Sequence, residues 1–153
     1  MAARPGEGPV AQLLLPVPVE AQLLQWAIAG WPEEVCGLLV GRRETRVIRV
    51  GRATWAPNTR RDRPADRYEI APQDFLATLR WARERKLEVL GVWHTHPDHP
   101  AVPSARDREL AWPNWSYIII SVQRDQVEAL RSWYCTPTGF QEQGIAMPSG
   151  QRS

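Results

Sequence analysis

At 153 residues, 43% hydrophobic and 24% charged, the chain has the size and composition of one soluble domain with its own core. A net charge of +2 is too small to argue for nucleic acid, and two cysteines, Cys36 and Cys135, cannot make a disulfide framework. No apolar run approaches the length of about 18 residues that spans a bilayer, and Met1–Pro9 lacks a signal-peptide pattern, so a cytoplasmic chain with reduced thiols is expected.

Leu13-Leu14-Leu15 is a short apolar run interrupted by Pro16 and Pro18. The spacing of Val19, Leu23, Trp26 and Ala27 then predicts a helix over 19–29, stopped by Gly30. Cys36 to Val40 is apolar throughout and predicts a buried strand. Thr45 to Trp55 alternates apolar and arginine residues, the pattern of a half-exposed strand. Arg42, Arg43, Arg46, Arg49, Arg52, Arg60, Arg61, Arg63 and Arg67 crowd this stretch. A solvated strand face accounts for them, and a docking surface for an acidic partner is the alternative.

Pro57 to Pro64 is a polar loop from which Tyr68-Glu69-Ile70 emerges extended. Pro72 opens a second helix with Phe75, Leu79 and Ala82 on one face. Leu87 to Trp93 is a third apolar run that ends directly in His94. A proline-rich turn leads to a short helix near 104–111. Tyr117 to Val122, nearly all β-branched or aromatic, predicts a central strand. Gln126 to Tyr134 pairs with it across Arg124-Asp125, and Thr136 to Gly139 turns the chain into a last short strand near Phe140. Eight tryptophans (26, 31, 55, 81, 93, 112, 115 and 133) fill this core or line a groove. Residues 1–10 and 147–153 read as disordered, bounding an α+β domain at 11–146 with helices placed against a mixed sheet.

All three histidines lie within six residues, His94, His96 and His99. Positions i and i+2 of a strand share a face, so His94 and His96 can converge on one ion at the strand end, where Pro97 leaves them open to solvent. A catalytic zinc takes three protein ligands and leaves one position for water. Asp107 is a candidate third ligand, one helical turn beyond the proline-rich turn. Ser104 and Asp107 share a helix face, and Ser-x-x-Asp is also a helix-start signature. Capping and site-building are compatible readings of that pair.

His94-Thr95-His96-Pro97 followed by Pro103-Ser104-Ala105-Arg106-Asp107 resembles the signature of the JAMM/MPN+ zinc metalloproteases. There a His-x-His-Pro run is followed by Ser eight positions after the second His and Asp three further on. Positions 96, 104 and 107 match those intervals. Glu34-Val35-Cys36-Gly37-Leu38-Leu39 matches the upstream segment that carries the family's glutamate, and Pro57-Asn58 and Tyr68-Glu69-Ile70 agree as well. The likeness runs from the first helix to about Tyr134 and is nearest to short prokaryotic members resembling sulfur-carrier-protein–cysteine peptidases.

This resemblance implies an MPN (cytidine-deaminase-like) fold, a curved mixed β-sheet flanked by helices, with 11–146 as the catalytic domain. It implies Zn²⁺ on His94, His96 and Asp107, Glu34 as general base, and Ser104 as donor to the oxyanion. Glu34 is chosen over Glu33 because it stands two residues before the cysteine; Glu33 reads as a loop charge. Cys36 reads as a buried residue and not a nucleophile, and His99 as an exposed loop residue. The implied reaction cleaves after the C-terminal Gly of a ubiquitin-like or sulfur-carrier protein with a Gly-Gly end, releasing cysteine or a conjugated amine. No nucleic acid and no membrane partner is expected. The alternatives are a metal-free MPN scaffold, which loses ligands that this chain keeps, and a DNA-maintenance domain. A zinc deaminase would need His-x-Glu and a Pro-Cys-x-x-Cys pair, which are not in the sequence.

Overall fold

A computed structural model of the chain describes residues 10–60, 62 and 67–147. The expected disordered ends lie outside the described residues except for positions 10 and 147, and so do Arg61 and Arg63. In chain order the elements are β1 (Gln12–Leu14), α1 (Val17–Gly30), β2 (Cys36–Arg43), β3 (Val47–Ala53) and α2 (Pro72–Glu84). They continue with β4 (Glu88–Pro97), α3 (Ala105–Leu110), β5 (Ser116–Gln123), β6 (Gln126–Thr136), β7 (Gly139–Gln143) and β8 (Ile145–Ala146).

Among the described residues the strands make one eight-stranded sheet in the order β7-β6-β5-β4-β2-β3-β1-β8. It is mixed: β4 runs parallel to β5, and β1 runs parallel to both β3 and β8, while the other pairs are antiparallel. Every element expected from the sequence forms. Two strands were not expected. The Leu13 run is a strand, and the strand at Phe140 is not the last, because β8 follows it and pairs with β1. These two short strands exist by edge pairing, β1 on the far edge of β3 and β8 on the far edge of β1, long-range events with no local pattern to announce them.

The period of two along each strand sorts side chains onto two faces. Leu39, Trp93, Ile118 and Ile120 face α1, where Leu23 and Ala27 are fully buried and Trp26 stacks on Trp93 at 5.4 Å. Leu38, Val92 and Tyr117 face α2, whose Phe75, Leu79 and Ala82 cover them. Each aliphatic side chain removed from water in this way contributes about 1.5–3 kcal/mol. Gly37 on β2 has no room for a side chain. A Cβ there would fall 1.7 Å from the Thr54 carbonyl oxygen and 2.4 Å from Trp93 Nε1, the two atoms that hydrogen-bond at 2.7 Å.

Arg42, Arg43, Arg46, Arg49 and Arg52 lie exposed, as a solvated strand face requires. Arg43 pairs with Glu88 at 2.6 Å and Arg49 with Glu44 at 2.9 Å. No helix among the described residues is long and apolar enough to cross a membrane.

Candidate metal and catalytic site

Register brings the candidate residues together. Val92, His94 and His96 alternate onto the α2 face of β4, so the face that is apolar at Val92 turns polar two residues later. On β2, Cys36 pairs with His94. The same antiparallel register carries Glu34 toward His96, held by Thr95 N–H donating to Val35 O at 3.0 Å. Thr95 points to the opposite face, where its hydroxyl accepts from Val35 N–H at 2.9 Å. The chain then turns through Asp98 to Pro103 and enters α3, which returns Asp107 over the two histidines.

The expectation that His94 and His96 are open to solvent is corrected. They are 1% and 8% exposed and form the floor of the site, because Tyr68 packs edge-on against His94 at 4.4 Å and Asp107 covers both rings. His94 Nε2 lies 3.3 Å from Asp107 Oδ1, and His96 Nε2 lies 3.1 Å from Asp107 Oδ2. One ligand atom from each of the three residues falls within 4.8 Å of the others. Bonds of about 2.0–2.1 Å at tetrahedral angles place neighbouring ligand atoms about 3.3 Å apart, which the two observed contacts match.

The protonation chemistry agrees. His96 Nδ1–H donates to Pro100 O at 2.8 Å, which leaves a lone pair on Nε2 of the neutral ring. That lone pair faces a carboxylate oxygen, an arrangement that is repulsive unless a positive charge lies between them. Either a proton or a metal ion satisfies it. Burial alone would lower the His96 pKa, but the Asp107 carboxylate, the Pro100 carbonyl and Glu34 together raise it. His94 behaves oppositely: burial lowers it to about 3 despite Asp107, so it stays neutral. Its Nδ1 is buried with no hydrogen-bond partner among the described residues. Burial pushes Asp107 up, but hydrogen bonding to His96, the charge that His94 gains only in strong acid, and the Ser104 N–H hold it down at about 2. Two neutral imidazole nitrogens and one ionised carboxylate are a donor set that fits a divalent cation.

Ser104 and Asp107 do both things that their spacing allows. Ser104 Oγ accepts from Asp107 N–H at 3.0 Å, and Asp107 Oδ2 accepts from Ser104 N–H at 2.9 Å, a complete capping box on a six-residue helix. As Oγ is an acceptor there, its own proton is left to donate elsewhere. Above the trio is a cleft of about 330 Å³ whose walls include Glu34, Arg67, Tyr68, His99, Val102 and Arg106. Glu34 is 5% exposed, whereas Glu33 is exposed. Burial pushes the Cys36 thiol up to about 12, with the charge of Glu34 adding to it, so it is no nucleophile near neutral pH. His99 is exposed on the cleft wall.

Two backbone ties that shape the cleft have no signature in the sequence. Ser121, opposite His96 on β5, donates its hydroxyl to His99 O at 2.6 Å. Trp133 Nε1–H donates to Ala101 O at 3.0 Å, so the proline-rich turn is fastened to the sheet.

The profile of a family described as prokaryotic homologs of the JAB domain matches residues 16–136. A desampylase from Haloferax volcanii is 34% identical over 91 residues, 59% of this chain and 63% of that protein. A probable TtuB-protein conjugate cleaving protease from Thermus thermophilus is 37% identical over 82 residues, 53% of this chain and 51% of its own. The chain thus spans between 51% and 63% of the length of these curated relatives. Among solved structures, a Desulfitobacterium hafniense protein superposes with a TM-score of 0.78 at 30% identity, covering 90% of this chain and 93% of that one. A Salinibacter ruber protein does so with a TM-score of 0.69 at 34% identity, covering 93% and 94%. With a matched span that runs from the start of α1 to the end of β6 and holds Glu34, both histidines, Ser104 and Asp107, this chain belongs to the prokaryotic JAB-domain family.

Proposed function

We propose that the domain, residues 11–146, is a zinc-dependent peptidase or isopeptidase acting in the cytoplasm on a ubiquitin-like or sulfur-carrier protein. It cleaves after the carrier's C-terminal Gly and frees cysteine or a conjugated amine. The observation that carries this reading is the pair of buried imidazole nitrogens trained on the two oxygens of one carboxylate, with a buried glutamate beside them at the floor of an open cleft. Relatives whose names denote conjugate cleavage support the reaction class.

His94, His96 and Asp107 hold the ion. When bound, Zn²⁺ supplies Lewis acidity and brings the pKa of a coordinated water toward about 7. Glu34 takes a proton from the attacking water and returns it to the departing amine. The Ser104 hydroxyl donates to the oxygen of the attacked carbonyl as negative charge develops on it. Tyr68 and the turn through Pro100 wall the cleft, so an extended tail without side chains fits it best. Pro100 also fixes the tautomer of His96 through its carbonyl.

Carrier fusions ending in Gly-Gly or Ala-Ala, followed by mass spectrometry, test the substrate class. The Gly-Gly fusion is cut after its last Gly and the Ala-Ala fusion is cut far more slowly; equal rates would sink the assignment. Ser104→Ala should lower kcat by about 10²–10³, the usual consequence of deleting an oxyanion donor. Loss of the cap should also destabilise the protein by about 0.5–2 kcal/mol. Steady-state rates and thermal melts on the same sample separate the two effects, and an unchanged kcat would leave Ser104 a cap and nothing more.

A further inference from the structure

Asn58 lies on the polar loop between β3 and α2, and its amide is used to full capacity. An Asn side chain offers two N–H donors and an oxygen with two lone pairs. Here Nδ2 donates to Glu34 O at 3.0 Å and to Arg67 O at 2.9 Å. Oδ1 accepts from Arg60 N–H and from Glu69 N–H, both at 3.0 Å. Carbonyls stand on one side and N–H groups on the other, so the orientation of the amide is dictated by its partners.

The two donor contacts end on two chain segments that both line one cleft. Glu34 lines it with His96, and Arg67 and Tyr68 line it as well, with Tyr68 against His94. The two acceptor contacts only close the loop on itself, alongside the Asn58–Ile70 bridge and the Thr59–Glu69 hydrogen bonds. We propose that Asn58 is a positioning residue that sets the separation of Glu34 from the Arg67–Tyr68 segment and so aims Glu34 at the attacking water. This rests on the peptidase reading, in which Glu34 moves the proton.

Asn58→Asp divides the two halves of the side chain. It keeps the acceptor oxygen that closes the loop and replaces both donors with an oxygen facing two carbonyls. Misplacement of a reacting group by about 1 Å can cost about 10²-fold in rate. With a Gly-Gly carrier fusion as substrate, kcat should therefore fall about 10–100-fold. KM should stay within about threefold and zinc per chain near wild type, because the metal trio is not touched, while the melting temperature should fall without loss of the fold, because two carbonyls lose their donor. Asn58→Ala, assayed beside it, should lower kcat at least as far. Thr59→Val removes a hydroxyl donation to Glu69 O in the same loop and should leave kcat unchanged.

Wild-type kcat in both Asn58 variants overturns the proposal. So does an equal loss in Thr59→Val, a loss of zinc in step with activity, or unfolding of both Asn58 variants, since each makes the role structural. Glu34→Gln runs in the same assay as a reference. If wild type cleaves nothing, the peptidase reading fails and takes this one with it. If wild type cleaves, Glu34→Gln is dead and both Asn58 variants turn over normally, the positioning role alone fails.

Discussion

Glu34→Gln should abolish turnover while the metal stays bound and the fold stays intact. The substitution keeps the shape of the side chain and removes its negative charge, and with it the capacity to take a proton. Glu34 is not among the three residues that hold the ion, and its backbone is fixed independently of its carboxylate, by Asn58 to its carbonyl and by the Thr95–Val35 pair beyond it. General-base catalysis of this kind contributes about 10²–10⁴ in rate, and kcat should drop by that factor. Zinc content and melting temperature should match wild type. Glu33→Gln, one residue away and exposed, should turn over normally. Single-turnover mass spectrometry on a carrier fusion decides the matter: a Glu34→Gln rate within tenfold of wild type would remove Glu34 from the chemistry.

The legible parts of the molecule were those governed by local periodicity. The run Leu87 to Trp93 declared a buried strand, and a period of two carried its α2 face from Val92 to His94 and His96. Helix α1 was legible because Leu23, Trp26 and Ala27 repeat at helical spacing, and Pro72 marked the first turn of α2. The pairing of Glu34 with the histidines was legible only through likeness to a family, since sixty residues separate them and no local pattern relates them. What stayed hidden depends on backbone atoms or on distant segments. Strands β1 and β8 are three and two residues long, and the register of Leu13 with Ile145 joins opposite ends of the chain. The tie from His96 to the Pro100 carbonyl has no sequence signal, because every residue has a carbonyl and only the course of the turn decides which one arrives. The depth of the site is hidden from the sequence for a related reason. A strand end followed by proline looks exposed until Tyr68 and Asp107, from two other segments, close over it.

Asp107→Asn should cost the metal, and with it the activity and the part of the stability that the bound ion supplies. Asp107 supplies the only negative charge among the three ligands, both of its oxygens are engaged, and it also accepts from Ser104 N–H. Asparagine retains an acceptor for that N–H, so α3 should remain capped, but the neutral amide is a poor zinc ligand. Changing a partner outside the ligand set typically weakens metal binding about 10–100-fold, and removal of a ligand should exceed this. Zinc at about 100 times its Kd adds about 2.7 kcal/mol to wild-type stability; the same concentration should shift the variant's melt far less.

The metal-free protein gives an independent reading of the same carboxylate. With both histidines at 6.5 when unfolded, the lowered His94 binds less proton than its unfolded counterpart as pH falls through 6.5, while the raised His96 binds more than its unfolded counterpart as pH rises above 6.5. The His94 contribution to stability therefore rises with pH up to about 6.5, and the His96 contribution is lost as pH climbs through its raised pKa, at up to about 1.4 kcal/mol per pH unit per proton. Below the ordinary carboxylate range Asp107 adds a further loss as pH drops from 3.8 toward about 2. Without the Asp107 carboxylate, His96 loses two of the interactions that raise its pKa and keeps only those of Pro100 and Glu34 against burial, so the alkaline fall should shrink. Chelated wild type should thus lose melting temperature relative to chelated Asp107→Asn as pH is raised from 6.5 to 8. Parallel melting curves for the two proteins across that interval would show that Asp107 does not hold the charge of His96, and the trio would lose its claim to be one coupled cation site.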